Sequence, residues 1–319
     1  MDFYWPIIMD NQNLRKRNPY IAEHFKACEQ DLQDFKKENG VIRDIKNVDW
    51  IDCPVCGSSE SDQFIVKWGG RYDECRSCTH IFLRNPLKEE RLLELYKTSI
   101  ADQMDRKVQL NSFNQIYWQN VYEKYMSHIS HRLRSDARII DIGCGLGQFL
   151  KYCSEKYSYN LFALDVYSGL AEQVSFLPKE NVFEVDSFTS VKLDYRFSLV
   201  TLWGVVEHLR NPHTIIDWCA NHIDENGLVL MLLPNIHSRA RKILGVYTPT
   251  LNPREHIHFF TRESLDKVVH HHGFRIMSHS QELPIIDIMW DFVDADTDII
   301  RQIVDRKECY YDVYILERM

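Results

Sequence analysis

The stretch Ala137–Gly147, ARIIDIGCGLG, restricts the fold of this chain more than any other. Ile139, Ile140 and Ile142 enclose Asp141, and the run closes on three glycines at alternate positions, Gly143, Gly145 and Gly147. The run predicts a buried strand, and Gln148-Phe149-Leu150 resumes with helical spacing. Strand, glycine-rich turn and helix together present bare backbone N–H groups at a helix N-terminus, where a ligand can lie close. Further runs repeat the plan. Asn160–Asp165 and Val182–Asp186 each end in an acid, and Phe197–Trp203 and Gly227–Leu233 supply a fourth and a fifth strand. An acid at the tip of the second strand can accept both hydroxyls of a ribose.

The glycine spacing is not the G-x-G-x-x-G of dinucleotide loops, and no Gly-Lys-Ser/Thr ending marks a phosphate loop. The Asp-x-Gly-x-Gly-x-Gly pattern of Asp141–Gly147 instead resembles motif I of class I S-adenosylmethionine-dependent methyltransferases. The resemblance implies an α/β fold with a seven-stranded Rossmann-like sheet and helices on both faces. It implies S-adenosylmethionine as cofactor, bound by Asp141, Gly143, Gly145, Gly147, Asp165 and Trp203, with Asp186 against the adenine amino group.

A second signal lies upstream. Cys53-Pro-Val-Cys56 and Cys75-Arg-Ser-Cys78 form C-x2-C-x18-C-x2-C, the spacing of a four-thiolate zinc site. Gln63–Trp68, a Gly69-Gly70 turn and Arg71–Cys75 predict a hairpin between the two pairs, completing a zinc ribbon. Four thiolates close a tetrahedral site, so the zinc is structural and His80 is not needed as a ligand. Nine cysteines, four of them in these pairs, fit a reducing cytoplasm and a metal better than disulfides.

Length and charge bound the rest. The 319 residues leave room for one α/β domain and a smaller unit. A net charge of −8 sets up no global attraction to nucleic acid. No apolar run approaches the roughly 18–20 residues of a membrane span, and the N-terminus lacks the basic start of a secretory signal. The organisation expected is a helical segment over 1–50, with a helix from Ile21 to Lys37, then the ribbon over 51–86. Linking and cofactor-covering helices follow over 87–134, including Lys88–Tyr96 and Asn111–Leu133, and the methyltransferase domain over 135–319. Tyr4, Trp5 and Tyr20 either cap the substrate pocket or dock the terminus.

Chemistry is expected after the fourth strand, where open α/β sheets bind ligands. Glu207-His208-Leu-Arg-Asn-Pro212 resembles the E-H-x-x-x-P segment of small-molecule methyltransferases, among them the ubiquinone-pathway O-methyltransferases. Those carry a further acid three positions before the glutamate as part of a metal site. Here that position is Gly204, so no catalytic metal is expected. Glu207 either orients His208 as a base or is a helix-start acid favoured by the dipole. An insertion over 236–258 leads into Arg254-Glu-His256-Ile-His258-Phe-Phe-Thr261; in an extended segment His256 and His258 share a face and either both reach the pocket or bond backbone in a crowded loop. Thr261 reads as a helix start, and His270–His272 before Gly273 as its end. Phe274–Ser280 and Tyr310–Leu316 read as an antiparallel edge pair. Asp287–Asp298, with Trp290 and Phe292, reads as a further pocket wall.

From Cys53 onward the chain resembles bacterial proteins that join a zinc ribbon to a class I methyltransferase, whose relatives include sugar C- and O-methyltransferases. The resemblance implies a small-molecule substrate, a nucleotide-linked or glycan sugar methylated on oxygen. Sugar C-methyltransferases of that type carry a further C-terminal domain, whereas this sequence stops at Met319 after the expected seventh strand. An RNA methyltransferase gripping RNA with its ribbon is the alternative. Acids in the ribbon (Glu60, Asp62, Asp73, Glu74) speak against it. A non-catalytic binding protein on the same fold is a third reading.

Overall fold

The computed structural model describes residues 3–7, 18–166, 169–188, 190–283 and 297–319. Of the expected pocket wall Asp287–Asp298, only the last two residues are among them.

Seven strands form the main sheet. In chain order they are β6 (Arg138–Ile142), β7 (Asn160–Asp165), β8 (Val182–Glu184), β9 (Phe197–Trp203), β10 (Ile223–Pro234), β12 (Phe274–Glu282) and β13 (Tyr311–Arg318). Their spatial order is β12-β13-β10-β9-β6-β7-β8. The five strands from β8 to β10 are mutually parallel, and β13 runs antiparallel between β10 and β12. The expected antiparallel pair closes the sheet at this end, with β12 outermost and β13 between it and β10.

Alternate strand residues feed two cores, as the two-residue period of a strand requires. Ile140, Ile142, Val200, Leu202, Val229 and Met231 point to one face, where α7 (Pro212–His222) and α9 (Arg262–His271) pack. Ile139, Leu161, Ala163, Leu199, Leu228 and Leu230 point to the other, covered by α4 (Ser112–Ile129) and α5 (Gln148–Lys156). The α4 aromatics expected to be core are so placed at Tyr117, Tyr122 and Tyr125, while Ile116 is exposed. α9 begins at Thr261 with a reciprocal capping box to Ser264 and ends before Gly273 at φ +79°, as its sequence predicts. Two shorter helices, α6 (Leu170–Gln173) and α8 (Arg239–Leu244), lie in connections, and α10 (Thr297–Asp305) precedes β13.

The N-terminal half differs from expectation in three places. α1 spans Tyr20–Gln33 and stops short of Lys37, because Asn39-Gly40 forms a turn with φ of 48° and 78° between β1 (Lys37–Glu38) and β2 (Val41–Ile42). α2 (Glu89–Thr98) is followed directly by α3 (Ile100–Leu110), which Ser99 caps and which no sequence signal singled out. In the hairpin of β3 (Ser61–Lys67) and β4 (Gly70–Cys75), the turn residues are Trp68 and Gly69 rather than the two glycines. Gly70 is the first residue of β4, and Pro253 packs so closely over it that a Cβ there would overlap the proline ring.

β3 and β4 continue into β5 (Ile81–Leu83), and β5 pairs with β11 (His258–Phe259) at the end of the insertion. The cysteine segment thus shares a sheet with a strand from the methyltransferase half. Its Cys53, Val55, Cys78 and Phe82 belong to the same core as α7 and α9. Residues 3–7 dock on α4 and β12: Lys124 Nζ donates to the Trp5 carbonyl at 2.8 Å, and Ile7 N–H to Glu282 Oε2 at 2.6 Å.

Candidate active site

The glycine turn after β6 folds back over β7. Gly143 N–H donates to the Leu164 carbonyl at 2.8 Å, and Gly145 N–H to Asp165 Oδ2 at 2.7 Å. All three glycines have positive φ. A Cβ on Gly143 would meet Val205 Cγ2 at 2.6 Å, and one on Gly147 would meet Val174 Cγ1 at 2.5 Å. At Gly145 the nearest atom is Gln109 Oε1 at 3.7 Å. Gly143 and Gly147 therefore serve close packing, and Gly145 leaves a cradle open to a ligand. Gln148 Nε2 donates to the Gln109 carbonyl, which lays the end of α3 across the turn.

The cofactor candidates do not all reach this cradle. Asp165 does, at the tip of β7. Asp141 is buried and turned to its strand neighbour, accepting the Thr201 hydroxyl at 2.6 Å. Asp186 is exposed, two residues past the end of β8. Trp203 packs edge-on to Tyr122 at 5.1 Å between ring centroids, and its buried Nε1 has no protein partner.

A short 3-10 turn, Val206–His208, follows β9 and carries the acid–base candidates. Glu207, His208 and His256 each bring a ligand atom within 4.8 Å of the others, a spacing compatible with a shared proton, a cation or a ligand. Burial pushes the Glu207 carboxyl up to about 8. Burial together with neighbouring His256 pushes His208 down to about 3, the Glu255 charge acting the other way. Both side chains are therefore uncharged at neutral pH, and Glu207 Oε2 and His208 Nδ1 are buried without a hydrogen-bond partner. His256 directs Nδ1 to the Thr250 carbonyl at 2.6 Å, so that nitrogen donates and Nε2 is the bare one.

His256 and His258 do not act as the pair their spacing suggests. The His256 ring lies 4.7 Å from that of His208, whereas fully buried His258 bonds the Leu209 carbonyl and His80. The strand begins only at His258, so an alternating face does not extend back to His256.

Several polar residues of this region carry no sequence motif. The Arg254 side chain is wholly buried and pairs with Asp31 of α1 at 2.7 Å, Asp102 of α3 at 2.5 Å, and Glu255. Burial pushes Glu255 up, but Arg254 and the histidines outweigh it and hold the carboxyl at about 2. Asp105, bonded by Gln109, is pushed up to about 6 by burial. Arg254 was visible only as a neighbour of His256. Asp31, Asp102 and Asp105 gave no signal, being helix-surface acids until α1 and α3 fold over the sheet.

Residues 115–279, more than half of the chain, match a family described as a methyltransferase domain. The chain belongs to this methyltransferase family. It is an S-adenosylmethionine-dependent methyltransferase, and its open glycine cradle beside Asp165 fits that cofactor. Among solved structures, the methyltransferase is similar to magnesium protoporphyrin IX methyltransferase from Synechocystis PCC 6803 with bound SAH. The two share 12% identity over 72% of this chain and 100% of that one, with a TM-score of 0.50. It is also similar to 1,6-didemethyltoxoflavin-N1-methyltransferase from Burkholderia thailandensis (11% identity, 76% and 97% covered, TM-score 0.48). A third similar structure is a SAM-dependent methyltransferase from Archaeoglobus fulgidus (19%, 63% and 94%, TM-score 0.45). These likenesses are of fold. No curated protein matches the sequence significantly.

The cysteine segment precedes the matched residues. Its four Sγ atoms lie within 4.8 Å of one another, with Cys53–Cys78 and Cys56–Cys75 each 3.5 Å apart. Zinc–thiolate bonds of about 2.3 Å place tetrahedral sulfurs roughly 3.8 Å apart, so the donor set fits that ion. His80 lies apart from this group, bonded to His258.

Proposed function

We propose that the methyltransferase methylates a hydroxyl of a small polar acceptor, a nucleotide-linked or glycan sugar, with His208 as the base. The observation that carries the reading is the pair of unpartnered buried atoms, Glu207 Oε2 and His208 Nδ1, at the carboxyl end of β9. Buried polar atoms without partners cost about 1–3 kcal/mol each, a cost that an incoming polar ligand removes. Bound S-adenosylmethionine supplies an electrophilic methyl group. The chain's own part is to hold the acceptor oxygen in line and to accept its proton. Alignment is worth roughly 7–11 kcal/mol and a positioned base a factor of about 10²–10⁴. His208 can take that proton because its imidazole is uncharged and its Nδ1 has no partner, and Glu207 Oε2 is a second unpartnered polar atom beside it. Asp165 is the proposed ribose acceptor, and the four cysteines the proposed ligands of a structural zinc. The sugar class rests on the resemblance to ribbon-bearing sugar methyltransferases.

The test is mass spectrometry of the protein incubated with S-adenosylmethionine and a panel of nucleotide sugars, with total RNA in parallel. Gain of one methyl on a sugar oxygen, lost in His208→Asn, is expected. Methyl on RNA, or on sugar carbon, would overturn the acceptor assignment. Full turnover in His208→Asn would overturn the base.

A further inference from the structure

The turn that carries Glu207 and His208 has little support of its own. Its internal bonds are His208 N–H to the Val205 carbonyl at 3.0 Å and Leu209 N–H to the Val206 carbonyl at 3.3 Å. A single 3-10 turn has poor hydrogen-bond geometry and does not persist alone. Two contacts from β11 and its approach hold it. Ile257 N–H donates to the Glu207 carbonyl at 2.7 Å, and His258 Nε2 meets the Leu209 carbonyl at 2.6 Å.

The second contact continues outward. His258 Nδ1 lies 2.9 Å from Nε2 of His80, 178 positions earlier, and His80 Nδ1 lies 3.3 Å from the Ser264 hydroxyl. The chemistry fixes the direction of this chain. A carbonyl only accepts, so His258 carries its proton on Nε2 and accepts at Nδ1. His80 then donates from Nε2 to His258, and its Nδ1 faces the Ser264 hydroxyl, for whose proton the Thr261 carbonyl at 3.2 Å competes. Both rings are fully buried, with both nitrogens of each engaged. β11 is in turn paired to β5, His258 opposite Phe82 and Phe259 opposite Ile81, and Leu83 N–H donates to the Ile257 carbonyl at 2.8 Å.

We infer that His80 and His258 are positioning residues: they form a one-directional hydrogen-bond relay from the cysteine segment to Leu209 that sets the Glu207–His208 turn. The catalytic meaning of the relay rests on the function proposed above, whereas the positioning itself does not. The cysteine segment then acts on the reaction by orienting the acid–base turn, without itself touching cofactor or acceptor.

The test compares His258→Phe, which fills the space but cannot bond, with His258→Gln, whose amide can donate to Leu209 and accept from His80. Hydrogen exchange is followed by mass spectrometry, with metal content and SAH affinity measured alongside. In His258→Phe, exchange over Val206–Arg210 is expected to rise about tenfold, the mark of local opening, with the glycine turn, metal content and SAH affinity unchanged. His258→Gln should restore most of the protection. With an acceptor in hand, kcat should fall by about 10²-fold in His258→Phe at unchanged KM for S-adenosylmethionine, the cost of a displaced catalytic group. If His258→Phe does not fold, His80→Asn breaks the outer link and should loosen the same five residues. Unchanged exchange at the turn, or a rise spread equally over the glycine turn, would overturn the inference and leave the histidines as core residues. Loosening of the turn in a protein that methylates no sugar would sink the proposed function and uphold the relay.

Discussion

Asp141 and Thr201 stand opposite each other on the parallel strands β6 and β9, and the Thr201 hydroxyl donates to Asp141 Oδ1 at 2.6 Å. The acid of the glycine motif is thus tied to its neighbouring strand, and it steadies the turn that follows. Asp165, at the tip of β7, is the acid that takes the Gly145 N–H.

The burial of Asp141 makes stability depend on pH. Burial raises the Asp141 carboxyl from its ordinary 3.8 to about 8, the Thr201 bond opposing the shift and Asp165 adding to it. A raised acid favours the folded state only while protonated. Its stabilisation is full below about pH 4 and is lost as pH rises to 8. Asp141→Asn keeps an acceptor for Thr201 and removes the penalty. Its melting temperature should gain on the wild type between pH 4 and 8 by the equivalent of a few kcal/mol, an order-of-magnitude figure. A pH-independent difference in thermal melts would contradict this.

The three glycines should separate by mechanism. Gly145→Ala places a side chain at φ +52° without overlap, costing about 1–2 kcal/mol of backbone strain. Gly143→Ala adds the 2.6 Å encounter with Val205 and should melt lower. Calorimetry with SAH should show Gly145→Ala losing affinity out of proportion to its stability.

Arg254 closes the roof. Replacing it with Met leaves Asp31, Asp102 and Glu255 crowded and unpaired, which should cost about 3–5 kcal/mol in urea unfolding. Arg254→Lys should recover only part of this, since one ammonium cannot serve three carboxylates as the guanidinium fork does. A loss under 1 kcal/mol (roughly the worth of an exposed ion pair) would show that the cluster is solvated.

His208 should leave an unusual pH profile. Its shift down to about 3 keeps the imidazole neutral, and so able to accept a proton, throughout the range where an ordinary histidine titrates. Turnover should stay level from pH 7 to pH 5 as far as this group is concerned. A base at the usual 6.5 would lose about 25-fold over that range. Steady-state rates across the range decide between the two.

The cysteine cluster should hold one zinc per chain by elemental analysis, and Cys75→Ser should lose it. Because β11 shares a sheet with β5, stripping the metal should also raise hydrogen exchange around His258. A protein that purifies without metal and keeps its fold would refute the zinc assignment.

Local pattern fixed much of this molecule. Alternating and continuous apolar runs marked the strands of the main sheet, the glycines marked the turn after β6, and the cysteine spacing marked the four-sulfur cluster. Each is encoded within a few neighbouring residues, by backbone freedom or by a period of two. Tertiary structure decided the rest. It sent His256 to His208 and His258 to His80, although two positions separate them, because β11 starts between them and is claimed by β5. It buried Arg254 against Asp31, 223 positions away, and it laid α3 over the glycine turn. A charged side chain reads as surface until a distant partner and the surrounding packing exclude water from it. That exclusion is a property of the assembled layers and has no local trace in the chain.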